Sequence, residues 1–171
     1  MRYFGPELKL PLSESGVAPL IERVDNASDA ELVLGSVDLS GKSVVLFSAD
    51  GELLRLPDNV ILVGGHYLSG SEREFLKARN IRFFSLHSVV QEGIANVCDA
   101  LMESARGWPS LHVCISLSIL ELPGGLSVRE LLYFVQRLRM LKNYSSANVI
   151  GTSSVLTAKL LAELAKSPQH F

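Results

Sequence analysis

The feature that most restricts the fold of this chain is the alternation, after residue 42, of short apolar runs with amphipathic stretches. "SVVLFS" (43–48) and "NVILVG" (59–64) are rich in β-branched residues and too short to be helices. Unbroken apolar runs of that length are the mark of strands buried on both faces. "IRFFSL" (81–86), "SLHVCISL" (110–117) and "SANVIG" (146–151) continue the series. Between them, "SEREFLKAR" (71–79) reads as a helix, with Ser71 and Glu74 at capping-box spacing. After Gly93, the residues Ile94, Val97, Cys98, Leu101, Met102 and Ala105 recur at helical spacing and form one continuous apolar face. Ser127 and Glu130 offer a second capping box, ahead of a stripe through Val128, Leu131, Leu132, Val135, Leu138 and Leu141. "SVLTAKLLAELAK" (154–166) reads as a last helix packing through Val155, Leu160, Leu161 and Leu164.

Strands alternating with helices imply right-handed βαβ units. The expected fold class is therefore α/β, a three-layer αβα arrangement around a mostly parallel sheet. The 171 residues, 47% hydrophobic and 20% charged, suit a single globular domain spanning 1–171. Its core is expected over 43–166, and residues 1–42 are poorly patterned, with Pro6, Pro11 and Pro19 interrupting any long element. A short helix around Val17 to Val24 and a strand around Leu32 to Leu34 are the expectations there. A net charge of −2 gives no global attraction to nucleic acid or to an anionic membrane. No apolar run reaches the roughly 18 residues of a spanning helix, and "MRYFGPELKLPL" lacks a signal-peptide core. Cys98 and Cys114 make no disulfide framework and read as small buried hydrophobes. The expected setting is cytoplasmic, with no membrane or nucleic-acid partner.

In such a sheet ligands sit beyond the carboxyl ends of the strands, here just after Phe47, Gly64, Ser85, Leu117 and Ile150. Ser48, Asp50 and Glu52 have the alternating spacing that turns three oxygen-bearing side chains to one side of an extended chain. The same residues also read as an Asp-Gly turn that ends a strand, or as a single weak cation site at Asp50 and Glu52 completed by water. Ser116 and Ser118 close the fourth run. Catalysis by either serine needs a base within reach, and the nearby His112 lies more than about 10 Å away along the same strand. Pro123, Gly124 and Gly125 read as a strand-to-helix turn, with an anion at the following helix N-terminus as the alternative. His66 and His87 read as polar surface or capping residues.

Taken in order, four segments resemble the arginase/agmatinase (ureohydrolase) family. "SVVLFSADGEL" (43–53) is similar to the family's "DAHxDL" strand end, and "LSGSEREFLKARNIRFFSLHSVVQEGIANVCDALMES" to its helix, strand and long helix. "LHVCISLSILELPGGLSVREL" resembles the stretch from "SFDIDxxDP" to "PGGLTxRE" with the intervening loop shortened. "SANVIGTSSVLTAKLLAEL" resembles the closing strand and helix. The resemblance covers roughly 43 to 166. It implies hydrolysis of linear amidine C–N bonds by hydroxide bridging two manganese ions, in an oligomeric protein. Matched by position, Ser48, Asp50 and Glu52 stand where the first motif has Asp, His and Asp. Ser116 and Ser118 stand where the later motif has two Asp ligands, and Gly151 where the closing strand carries a substrate-facing Glu. The family's Gly-Gly-Asp-His motif has no counterpart before residue 43, and "VGGH" (63–66) comes in the wrong order.

A serine hydroxyl brings no charge to a dication. The resemblance therefore implies a vestigial pocket with neither cofactor nor catalytic residue. The expected function is that of a non-catalytic, arginase-like interaction, assembly or regulatory module, as a homo-oligomer or beside a related subunit. The alternatives are a hydrolase of altered chemistry and a binder of guanidino compounds, either one using Asp50 and Glu52. An altered hydrolase predicts a deep pocket holding both carboxylates, at least one with a raised pKa.

Overall fold

The computed structural model describes residues 2–4, 22–24 and 39–151, and the helical positions Leu156, Lys159, Leu160, Glu163 and Leu164. Among the described residues, seven strands form one sheet: β1 (Arg2–Phe4), β2 (Glu22–Val24), β3 (Ser43–Ser48), β4 (Asn59–Gly64), β5 (Arg82–Ser85), β6 (Leu111–Ser116) and β7 (Tyr144–Ile150). Their spatial order is β2-β1-β7-β6-β3-β4-β5, and every neighbouring pair is parallel. Among the described residues, four α-helices lie between strands: α1 (Gly70–Ala78), α2 (Leu86–Glu92), α3 (Ile94–Arg106) and α4 (Val128–Leu138).

The apolar strands explain the layering. Side chains alternate across a strand, so a run with no polar position must be covered on both sides. Val45 and Phe47 of β3, with Val113 and Ile115 of β6, face α2, α3, α4 and the buried Leu160 and Leu164. Val44 and Leu46, with Leu62 and Cys114, face the opposite way, against Leu53, Leu54, Leu68 and Leu76. Phe47 meets Phe134 of α4 with ring centroids 5.5 Å apart. Truncating either ring to alanine is the kind of core deletion that costs about 3–5 kcal/mol.

Strands β3 and β4 and the apolar face of α3 coincide with the reading of the sequence, and Val97, Cys98, Leu101 and Ala105 are buried. Elsewhere the structure corrects it. The first capping box is Ser69 with Glu72, because α1 begins at Gly70; Ser71 instead meets the Ser69 hydroxyl at 3.1 Å. Glu72 has a tertiary reason to win: its carboxylate also accepts the Gly51 N–H at 3.0 Å. The box at Ser127 and Glu130 is as expected, but Val128 is exposed and Phe134 takes a core position. Glu22–Val24 belongs to a strand, not to a helix, since it finds a parallel partner in Arg2–Phe4. The rest of that expected helix and the strand around Leu32 to Leu34 lie outside the described residues, as do Val155 and Leu161. Helix α2, capped by the Ser85 hydroxyl, follows β5 directly and was not anticipated.

Candidate functional site

Strands β3 and β6 are neighbours, so their carboxyl ends bring the segments carrying Ser48 and Ser116 together. Ser48 is buried at the end of β3. Its hydroxyl donates to Asp50 Oδ1 at 3.3 Å and accepts the Asp50 N–H at 3.3 Å. Asp50 Oδ1 also accepts the Glu52 N–H at 3.2 Å, which closes the Asp-Gly turn on itself. From the 3-10 turn after β6 (Leu117–Leu120), the Ser118 hydroxyl accepts the Ala49 N–H at 3.1 Å and meets the Ser116 hydroxyl at 2.8 Å. Ser48, Asp50, Ser116 and Ser118 are thus assembled in one place, in a network of neutral hydroxyls and turn amides. The chain end of β4 closes over them: Gly65 N–H donates to the Ser48 carbonyl at 2.8 Å. Gly64 has φ +114°, and a Cβ there would overlap Ile119 Cδ1 and lie 2.5 Å from the Ser48 carbonyl oxygen, so only glycine allows this approach.

The Glu52 side chain is exposed and does not join that network. The Asp50 charge, partial desolvation and the Glu72 charge all raise its pKa above the ordinary carboxylate value. Partial burial also pushes the Glu72 carboxyl up, but the Ser69 and Gly51 N–H groups and the Ser69 hydroxyl outweigh it, and the net shift is downward. Among the described residues, no group of three or more His, Cys, Asp or Glu side chains is placed to hold a metal ion.

Gly151, one residue beyond β7, faces the same end of the sheet. A Cβ at that position would overlap Leu117 Cγ and Cδ1 and come within 2.7 Å of Leu117 Cβ. Leu117 therefore occupies the space into which a side chain at 151 would project. What is left is an open pocket of about 410 Å³ lined by Ser116, Ser118, Glu121, Gly151 and the leucines 117 and 156, among others. Neither Asp50 nor Glu52 lines it. Leu117 and Glu72 are the two residues at this end that sequence reasoning missed. Glu72 had a signal, the Ser69-x-x-Glu72 spacing; Leu117 had none.

The remaining candidates resolve into structural roles. His112 is buried between Ser146 Oγ and Asn148 Oδ1, each at 2.6 Å. With an amide oxygen facing Nε2, that nitrogen donates and Nδ1 accepts the Ser146 hydroxyl proton, which is the neutral tautomer. Burial lowers its pKa to about 4, against the raising effect of Asn148. It serves neither serine as a base. His66 Nε2 donates to the Glu121 carbonyl at 3.1 Å and Tyr67 Oη to the Leu122 carbonyl at 2.6 Å, so the loop after β4 holds the turn after β6. That turn leads into α4, whose Ser127 hydroxyl accepts the Glu130 N–H. Pro123 to Gly125 are a strand-to-helix connection. His87 is exposed in α2.

A parallel sheet covered on both faces, with polar side chains gathered at the carboxyl ends of its central strands, defines a three-layer α/β protein. An arginase from Bacillus subtilis superposes with a TM-score of 0.69 at 14% identity, covering 91% of this chain and 76% of that one. An arginase from Bacillus cereus gives 0.63 at 19% identity, over 74% and 61%. The formimidoylglutamase of B. subtilis gives 0.61 at 12% identity, over 74% and 53%. No family model matches the chain. In sequence it is 27% identical over 141 residues to the arginase of Staphylococcus aureus strain COL, covering 71% of this chain and 47% of that protein. It is 22% identical over 126 residues to the arginase of B. subtilis strain 168. The chain is related to the arginase/ureohydrolase family, and it spans about half the length of the curated relatives it matches. No helix among the described residues is long and apolar enough to cross a membrane.

Proposed function

We propose that this chain is a non-catalytic member of the arginase fold, acting as an interaction or assembly module without a binuclear manganese centre. It works as a homo-oligomer or beside a related subunit, in the cytoplasm. The observation that carries the reading is Leu117 packed over Gly151, which leaves no room for a side chain where a substrate-facing acid would stand. The donor set agrees. Two dications about 3.5–4 Å apart repel each other unless several carboxylates surround them. Here Ser48, Ser116 and Ser118 offer neutral hydroxyls already engaged with one another and with backbone amides. Asp50 is tied into its own turn, and Glu52 is exposed.

One observation favours a second reading, a guanidino-compound binder or altered hydrolase using Asp50 and Glu52: the raised pKa of Glu52. A general base gains from such a shift only when it faces a bound substrate, and this side chain faces solvent. One experiment separates the non-catalytic reading from the hydrolase. The purified chain is incubated with excess Mn²⁺, dialysed and analysed for metal by mass spectrometry, and urea release from arginine is followed in parallel. Near-zero manganese and no urea above the uncatalysed rate are expected. One or two retained ions per chain, or turnover abolished by Asp50→Ala or Glu52→Ala, overturns the non-catalytic reading.

A further inference from the structure

We draw no further inference here: the strongest candidate, the apolar groove walled by Leu76, Ile81 and Phe83 beside the outer edge of β5, carries nothing, because nothing in the structure shows what covers it.

Discussion

Replacing Gly151 by alanine tests whether Leu117 occupies the space beside Gly151 as described. The new Cβ overlaps Leu117 Cγ and Cδ1, and rotating the leucine does not relieve the conflict, because Leu117 Cβ is itself only 2.7 Å away. Ordinary carbon contacts begin near 3.5 Å, so the backbone of β7's end or of the turn after β6 must move by something approaching 1 Å. Overpacking of that kind costs about 1–3 kcal/mol. Leu117→Ala alone removes part of a half-buried side chain and costs less than a core truncation. In the double variant Cγ and Cδ1 are gone and only the Cβ–Cβ conflict remains. Its destabilisation should therefore fall short of the sum of the singles by about 1 kcal/mol or more. Urea denaturation of the four proteins measures this from midpoints at a common slope. If the two single effects simply add, Leu117 does not stand over Gly151, and the main support for the non-catalytic reading is gone.

His112 gives a pH prediction. Unfolded, it takes up a proton near its ordinary pKa of 6.5; folded, burial holds it neutral down to about 4. The unfolded state therefore binds more protons between those values, and stability falls as pH drops through that window. Between pH 7 and pH 5 the loss should be about 2 kcal/mol, and the His112→Gln variant should lack that component; parallel pH profiles for the two proteins would exclude it. The two cysteines give a simpler test. Burial pushes the Cys98 thiol up to about 11 and that of Cys114 to about 12. Neither should react with a disulfide reagent at neutral pH in the native state, and both should react in denaturant; rapid native labelling of either would contradict the packing. Removing the hydroxyl of Ser69 should cost about 1 kcal/mol by the same denaturation assay, as N-cap losses do, whereas Ser71→Ala should cost much less.

Where the pattern in the sequence is dense, it carried the architecture. Strands β3 and β4 could be read because each holds four unbroken apolar positions, 44–47 and 60–63, closed at both ends by a polar residue or glycine. The α3 face was equally plain, since six residues kept helical spacing without a break. Three-residue strands such as β1 and β2 carry too little pattern to be seen, and their pairing depends on partners far along the chain. The competing Ser-x-x-Glu spacings at 69–72 and 71–74 are indistinguishable as strings; the Gly51 amide, a tertiary contact, decides between them. At the site, Ser48, Asp50, Ser116 and Ser118 were grouped through the resemblance to the arginase/agmatinase family; their own spacing does not say that β3 and β6 are neighbours. The separation of Glu52 from that group was not legible, because the Asp50 turn abandons the extended geometry on which its alternating spacing relied.

The serine network also answers the backbone around it. Backbone N–H groups at the ends of buried strands need acceptors, and buried polar groups without partners are costly. Here the Ala49 and Asp50 amides are met by Ser118 and Ser48 in turn. Apolar residues in those places would have stranded both amides. Serine is the smallest side chain that can answer a backbone N–H and still pack against a neighbouring hydroxyl, as Ser116 does with Ser118. The choice of serine is thus explained by the backbone around the strand ends, with no nucleophile required. The prediction that follows is that Ser118→Val, close in shape but without the oxygen to accept the Ala49 N–H, destabilises the fold by about 1–3 kcal/mol, whereas Ser118→Thr, which keeps that acceptor, costs less. Denaturation midpoints for the two variants would decide it, and equal losses would mean that the amide has found water instead.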